Sequence, residues 1–165
     1  MTAVIEPSCA VTTAAASGET VRALAHACSP RSLRLRFFLP RDPDPEDVLA
    51  RYWRFLLGAP PWGRSVVALM GGVPVGLLNL VAAGDGLVEA GLLVADTWQR
   101  QGIATHLLTT ELTRRRWAGW TVRATVQPDN LAMQALLQRQ RLGPCRLVSA
   151  DRDQLDYDIV LPALA

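Results

Sequence analysis

The sequence predicts an α/β protein in which a mixed, mostly antiparallel central sheet is flanked by helices. Short apolar runs separated by glycine turns fill the middle and the end of the 165-residue chain, and such runs are typical of β-strands. Segments with apolar residues three and four positions apart precede and interrupt these runs, and this spacing is typical of amphipathic helices. The order of helices, three strands, helix, strand, helix and two strands favours a single mixed sheet.

The N-terminal third is predicted to be helical after a loose start. Residues 1–18 mix small and polar types and are expected to form a loose segment, with an edge strand near Cys9 to Thr13. Ser17 is a capping residue ahead of the first amphipathic stripe, and Ser29-Pro30 ends that stripe. Ser29 or Ser32 is then expected to cap a short helical turn ahead of Leu33. Pro45, followed by two acidic residues, marks the start of a further helix.

The remainder of the chain alternates strands, turns and helices. Gly71-Gly72 and Gly84-Asp85-Gly86 are turn sequences between apolar runs, so they predict two successive hairpins. Leu131 and Leu136 are expected to face the core from the last helix. The expected elements are strands at 65–70, 73–82 and 87–94, a helix at 102–117, a strand at 121–126, a helix at 128–141, and a closing hairpin of 145–149 with 155–161.

Charge and composition exclude several classes of function. The chain has 17 basic and 15 acidic residues, a net charge of +2, and every basic residue is arginine. Without lysine there can be neither a Schiff-base enzyme nor a P-loop nucleotide site. A nearly neutral chain does not indicate a nucleic-acid partner. The run Arg114–Arg116 is therefore expected to be the solvated end of a helix.

Length, hydropathy and cysteine usage favour a single domain over 1–165 in the bacterial cytoplasm. No apolar stretch approaches the ~20 residues of a membrane span, and the N-terminus lacks the features of a secretory signal. Cys9, Cys28 and Cys145 are odd in number and widely spaced, a pattern that predicts free thiols and no metal site. The abundance of alanine, leucine, glycine and arginine is typical of a GC-rich bacterial gene. The oligomeric state stays open.

The most informative segment is a strand that runs through a short loop directly into a helix. The loop contains Gln99-x-x-Gly102-x-Ala104. The start of a helix presents about four free backbone N–H groups and the positive end of the helix dipole. Since small residues at 102 and 104 let an anion approach that backbone, the segment predicts a phosphate or pyrophosphate ligand held by main chain. The alternative is an ordinary strand-to-helix turn that contains a glycine.

This loop resembles the signature of the GNAT acyltransferase superfamily, Gln/Arg-x-x-Gly-x-Gly/Ala. The resemblance implies that the loop holds the pyrophosphate of acetyl-CoA, the favoured donor, or of another acyl-CoA. It also implies that main-chain groups of the preceding strand pair with the pantetheine arm. The residues that the resemblance places at the cofactor are Leu92, Leu93, Val94, Gln99, Arg100, Gln101, Gly102, Ile103, Ala104, Thr105 and, from a second motif, Asn130.

The second motif is Gln127-Pro128-Asp129-Asn130, which leads into the last helix. It resembles the superfamily segment in which an asparagine just inside the helix contacts the cofactor; alternatively, Asp129 or Asn130 only caps the helix. Many members carry a tyrosine seven residues after this asparagine, which protonates the leaving thiolate. Leu137 stands at that position here, and the usual Gly-Phe that follows the helix reads Gly143-Pro144. The group that protonates the leaving thiolate is thus unassigned.

A narrower resemblance extends towards the N-terminus. Ser29-x-x-Ser32-x-x-x-Arg36-Phe37-Phe38 is similar to a segment of Pat-type bacterial protein lysine acetyltransferases. That group also tends to have leucine where other members have the tyrosine. Its catalytic glutamate lies ten residues before the glutamine of the loop motif, where this chain has Glu89. The resemblance implies acetylation of protein lysine side chains with Glu89 as the base.

The chemistry of amine acetylation agrees with a carboxylate in that place. The amine must be neutral to attack a thioester, yet free lysine has a pKa of ~10.4, so a base has to accept its proton. Glu89 is expected to be buried by its apolar strand neighbours, where a carboxylate is costly unless it has a function; alternatively, it points into solvent from an edge strand. Two rival functions remain, a small-molecule amine acetyltransferase and a non-catalytic acyl-CoA-binding regulatory module.

Overall fold

A computed structural model describes residues 10–165 and contains a seven-stranded sheet flanked by five helices. The strands are β1 (Val11–Ala15), β2 (Gly63–Met70), β3 (Val73–Gly84), β4 (Leu87–Val94), β5 (Thr121–Val126), β6 (Cys145–Ala150) and β7 (Leu155–Val160). The helices are α1 (Gly18–Ala27), α2 (Pro30–Phe37), α3 (Pro45–Leu56), α4 (Ile103–Leu112) and α5 (Leu131–Arg139).

The strands lie in the order β1-β2-β3-β4-β5-β7-β6. Every neighbouring pair is antiparallel except β4 and β5, which are parallel. The predicted mixed, mostly antiparallel sheet is therefore confirmed. The turn between β2 and β3 has positive φ at both Gly71 and Gly72, which is the backbone conformation that a two-residue hairpin favours and that glycine adopts easily.

Two apolar cores hold the layers together, one on each face of the sheet. Helices α4 and α5 cover one face, where Ile103, Leu107 and Leu137 are buried against the strands. Helices α1 to α3 cover part of the other face through buried residues that include Leu24 and Leu33. Because strand side chains alternate between the two faces, β3 and β4 contribute to both cores.

The predicted helix starts rest on side-chain caps. Ser17 caps α1 and Ser29 caps α2, each accepting a hydrogen bond from a backbone N–H three residues later. Asp44 caps α3 and is followed by Pro45 at the first helical position. Each cap satisfies one of the N–H groups that a helix start leaves without a partner.

Three expectations from the sequence differ from the structure. The helix expected at 102–117 ends at Leu112, because the chain then turns to bury Trp117 edge-on against Trp120, with ring centroids 5.3 Å apart. Arg114–Arg116 are exposed as expected, but they lie beyond the helix. Leu131 is 71% exposed rather than core-facing, since α5 begins there and turns Leu137 inward instead.

The N-terminal edge strand is present as β1, which pairs with β2. Its expected start at Cys9 lies outside the described residues. None of the helices found between residues 10 and 165 has the length and hydropathy of a membrane-spanning segment. The same residues contain no group of three His, Cys, Asp or Glu side chains able to hold a metal ion.

Candidate active site

The parallel pair β4 and β5 separates after a short contact. The two strands are paired only from Leu87 to Glu89 on β4 and from Thr121 to Arg123 on β5. Beyond Glu89, β4 continues to Val94 beside β3 alone. The strands therefore enclose a wedge-shaped opening, with one edge of β4 free to pair with an extended ligand.

Main-chain groups of β4 point into this opening at alternate residues. The N–H of Ala95 donates to the carbonyl of Val75 at 3.0 Å, so Leu93 pairs with Leu77 on β3 whereas Leu92 and Val94 direct their backbone groups away from β3. Of the three strand residues expected to pair with a ligand, Leu92 and Val94 have the suitable orientation. Leu93 instead turns its backbone groups towards β3 and buries its side chain in the core under α1 to α3.

The opening leads to the N-terminus of α4, which has no side-chain cap. Gly102 occupies the cap position with φ of 82°, and Arg100 also has positive φ, at 60°. No hydrogen bond within residues 10–165 uses the backbone N–H groups from Arg100 to Thr105. A run of unpaired N–H groups at the positive end of a helix dipole forms an anion site.

One cleft of about 1650 Å³ joins this loop to the opening between the strands. It is lined by most of the residues expected at the cofactor, namely Leu92, Leu93, Val94, Gln99, Arg100, Gly102, Ile103, Ala104, Thr105 and Asn130. Gln101 does not line the cleft, because its side chain turns back and donates to the carbonyl of Thr97 at 3.0 Å. The structure thus brings ten of the eleven expected residues together.

Gln99 and Asn130 have structural roles as well as a place in the cleft wall. The amide of Gln99 donates to the Val94 carbonyl at 3.0 Å and to the Ser32 hydroxyl at 3.2 Å, which fixes the loop to the strand and to α2. Asn130 caps α5 by accepting from the N–H of Met133 at 3.2 Å. The capping alternative for Asn130 is therefore correct, and it coexists with a position at the cleft.

Asp96 fastens α2 to the start of the loop. Its carboxylate accepts from the Ser29 N–H at 2.7 Å, the Ser29 hydroxyl at 2.8 Å and the Ser32 hydroxyl at 3.1 Å. Partial burial tends to raise the pKa of Asp96, but the hydrogen bonds from the two serines outweigh it and hold the pKa below its usual range. The two serines of the Ser-x-x-Ser pattern thus position the loop.

The Asp96→Asn variant is expected to unfold more easily than the wild type at neutral pH, and the difference should vanish in acid. A carboxyl group with a lowered folded pKa stabilises the fold above its unfolded pKa of ~3.9, and that stability is lost as the pH falls through the folded value. Urea midpoints measured from neutral pH to about pH 2 test this. The control is Asp85→Asn in an exposed turn; a midpoint difference independent of pH would contradict the assignment.

Arg34 links α2 to the segment after β5, a connection that no local sequence pattern indicates. Its guanidinium contacts Gln127 Oε1 at 3.0 Å, Asp129 Oδ2 at 3.1 Å and Asp42 Oδ1 at 3.2 Å. The first two partners follow Arg34 by more than ninety residues. Because Gln127 and Asp129 come directly after β5, this arginine ties the two sides of the opening together.

Glu89 lies at the point where the strands part, and its side chain is exposed. The expectation that its strand buries it is wrong, because the helices on that face reach β4 at Gly91 through Arg36 and leave this end of the face uncovered. Its neighbour across the pair, Arg123, is held by Asp158 through two contacts of 2.8 Å. Glu89 is not among the residues that line the cleft.

Position 137, where many proteins with this motif carry a tyrosine, is filled by a buried leucine. Leu137 is 3% exposed and packs in the core under α5. Tyr157 is also buried in that core, and Tyr52 on α3 stacks on Phe37 with ring centroids 4.7 Å apart. Neither tyrosine is among the residues that line the cleft.

The sequence of this region matches a family model. The model described as "Acetyltransferase (GNAT) family" covers residues 29–143, which include α2, the separated strands, the loop and α5. The chain belongs to the GNAT acetyltransferase family. As a member, it is an acyl-CoA-dependent N-acetyltransferase, and the resemblance seen in the loop motif is confirmed.

Solved structures support the GNAT fold. The GNAT domain of S. lividans PAT is 20% identical, with a TM-score of 0.73 over 92% of this chain and 90% of that one. The yncA protein of Salmonella typhimurium, solved with acetyl-CoA, is 22% identical, with a TM-score of 0.64 over 94% and 96% of the two chains. RimL, a ribosomal-protein alpha-N-acetyltransferase solved with coenzyme A, is 16% identical, with a TM-score of 0.67 over 93% and 95%. No curated protein matches the chain.

Proposed function

We propose that this GNAT protein transfers the acetyl group of acetyl-CoA directly to the side-chain amine of a protein lysine, with Glu89 as general base. The observation that carries the proposal is the continuity of one cleft from the uncapped start of α4 to the opening between β4 and β5. The N–H groups from Arg100 to Thr105 would hold the pyrophosphate. Leu92 would pair with the pantetheine arm, and the thioester would then lie where the strands part.

Glu89 is suited to receive the proton of the attacking amine. It lies on the same face of β4 as Gly91, next to the opening, and its exposure leaves room for a water between carboxylate and amine. Within the described chain it forms no ion pair, because the nearby Arg123 is engaged by Asp158. An unpaired carboxylate beside the transfer point can accept a proton without first breaking a salt bridge.

The uncovered sheet face carries charges of both signs. Glu89, Arg123, Asp158 and Arg146 lie in one row across β4, β5, β7 and β6, and Asp156 lies two residues from Asp158 along β7. Carboxylates and arginines alternate along this row, and Glu89, at the opening, forms no ion pair within the described residues. Opposite charge raises the local concentration of a cationic partner, so the Glu89 carboxylate favours a lysine side chain at this point.

The Glu89→Gln variant is expected to lower kcat/KM by about a hundredfold or more near neutral pH, because general-base catalysis typically contributes 10²–10⁴-fold. Part of the loss should be recovered at higher pH, where more of the amine is already neutral. CoA affinity should be unchanged. Release of free CoA thiol from acetyl-CoA, with lysine peptides, folded proteins and small amines as acceptors, measures the effect.

The matched control is Glu19→Gln, an exposed glutamate in the first turn of α1, which should leave turnover intact. If Glu89→Gln turns over as fast as the wild type at every pH, Glu89 is not the general base. Release of CoA thiol with small amines alone would point to a small-molecule acetyltransferase. CoA binding without thiol release for any acceptor would point to a regulatory module. Because the chain has no lysine, acetyl-lysine detected in the reaction belongs to the acceptor.

The proposed setting is a bacterial cytoplasm. Cys28 and Cys145 are both free thiols, which fits a reducing compartment. Burial raises the pKa of the Cys28 thiol to about 12, with a smaller contribution from Asp96. Cys28 is thus a core residue rather than a candidate nucleophile, and burial also raises the pKa of the Cys145 thiol. Neither cysteine lines the cleft, which supports direct transfer without a covalent enzyme intermediate.

A further inference from the structure

Arg36 places a guanidinium against the backbone of β4, beside the opening. Its Nη2 donates to Asn79 Oδ1 at 3.0 Å, and Asn79 is in turn held by Ser65 at 2.8 Å. The guanidinium lies across Gly91, where any Cβ would overlap its Cζ and Nη atoms. Glycine at 91 is therefore required for this placement, and the next residue along β4 is Leu92, whose backbone faces the opening.

The charge of Arg36 has no counter-ion within residues 10–165. No carboxylate lies within ion-pair distance of it, and its Nε is buried without an acceptor. Burial lowers the pKa of Arg36 to about 10, an effect that Tyr52 partly opposes, so the group is charged at neutral pH. A desolvated cation is costly unless it meets negative charge, and part of this residue remains accessible in the cleft wall.

The other ionisable side chains that line the cleft lie away from Leu92 or are already held by hydrogen bonds. Asp96 is occupied by its two serines. The arginines and the remaining aspartate belong to the start of α2, the loop, the turn after α4, and α5 with its flanking residues: Arg31, Arg100, Arg114, Arg115, Asp129, Arg139 and Arg141. Among the lining residues of the described chain, Arg36 is thus the charged group that lies against β4 next to Leu92.

Acetyl transfer releases negative charge at this end of the cleft. The amine nitrogen attacks the thioester carbonyl carbon, the C–N bond forms, and the carbonyl π pair moves to oxygen. Collapse of this intermediate breaks the C–S bond, whose electron pair leaves on sulfur as the CoA thiolate, while the amine proton goes to the base. One unit of negative charge therefore passes from oxygen to sulfur.

We infer that Arg36 is a catalytic residue that stabilises this negative charge, on the thioester oxygen and then on the leaving sulfur. The inference rests on the proposed acetyl transfer in this cleft. A cation that the fold holds in place stabilises developing charge without having to reorganise. It also accounts for Leu137, because a thiolate stabilised by a nearby cation can leave without a proton donor.

The thiol pKa of CoA bound to the protein tests this directly and requires no acceptor. Thiolate absorbance of the CoA complex, followed between about pH 6 and 11 so that shifted and unshifted thiols both titrate, should show a pKa about one unit or more below that of free CoA, as expected for an opposite charge nearby. The Arg36→Met variant should lose this shift and still bind CoA by calorimetry. The Arg36→Lys variant should keep part of it, and Gly91→Ala, which displaces the guanidinium, should lose it.

The control is Arg51→Met, which removes the same charge from an exposed position on α3 outside the cleft and should leave the shift intact. Equal thiol pKa values in the CoA complexes of the wild type and Arg36→Met would overturn the inference while leaving the CoA site in place. Equal losses in Arg36→Met and Arg51→Met would also overturn it. A wild type that does not bind CoA would overturn the proposed function, and this inference with it. If Arg36→Met fails to fold, the lysine and Gly91→Ala variants decide.

Discussion

The Gly102→Leu variant is expected to bind CoA at least about a hundredfold more weakly than the wild type, a loss of ~2.7 kcal/mol. Gly102 has φ of 82°, and a Cβ there would meet no protein atom within 4 Å. A leucine side chain would therefore enter the open space in front of the α4 N–H groups, where an anion has to lie. Isothermal titration with CoA measures the effect.

Gly72 provides a matched control for this variant. It also has φ of 82°, and a Cβ added there would likewise meet no atom within 4 Å, but it lies in the turn between β2 and β3. Gly72→Leu should share the backbone strain of about 1–2 kcal/mol and keep wild-type affinity for CoA. If the two variants bind CoA equally well, the anion site at the start of α4 is refuted.

The Glu111→Ala variant is expected to lower the free energy of unfolding by about 3 kcal/mol or more. Glu111 on α4 is only 1% exposed, with Arg64 Nε at 2.7 Å from Oε1 and Arg114 Nε at 2.8 Å from Oε2. These are charge contacts rather than well-aligned hydrogen bonds, and the Trp117 N–H donates at 3.4 Å. Removing the carboxylate leaves the partly buried Arg64 without a partner, which urea denaturation will register.

The Arg114→Ala variant distinguishes the contribution of the buried Glu111–Arg64 contact from that of the exposed Glu111–Arg114 contact. The Arg114 side chain is 48% exposed, so its contact should contribute at most about 1 kcal/mol, and Glu111 keeps Arg64 when it is removed. The expected order of stability is wild type, Arg114→Ala, then Glu111→Ala. Similar free energies of unfolding for the two variants would show that the buried contact contributes no more than the surface one.

Local signals in the sequence predicted the elements of the fold well. Helix starts depend on a cap a few residues from the first turn, and Ser17, Ser29 and Asp44 with Pro45 all act as such caps. The hairpin at Gly71-Gly72 depends on backbone conformations that glycine permits. The conformation of the loop proposed to hold the cofactor was predictable for the same reason, since its strand, its glycine and its helix are contiguous in the chain.

Features that depend on distant partners were not predictable. The identity of Glu89 and its apolar neighbours indicated burial, but exposure depends on where α2 ends over the sheet. The partners of Arg34 lie more than ninety residues away. The contact between Arg36 and Gly91 also depends on tertiary packing. The Ser-x-x-Ser-x-x-x-Arg-Phe-Phe motif therefore pointed to Arg36 but not to the groups that surround it.

Helix α2 and its cap residue position three separate parts of the candidate site. Ser29 and Ser32 hold the loop through Asp96, Arg34 holds the segment after β5, and Arg36 rests on β4. One inserted residue would rotate the rest of this helix by about 100° and separate these contacts from one another. If the acceptor binds at the open sheet face as proposed, a change of acceptor is expected to keep α2 in register and to vary that face and its surrounding loops.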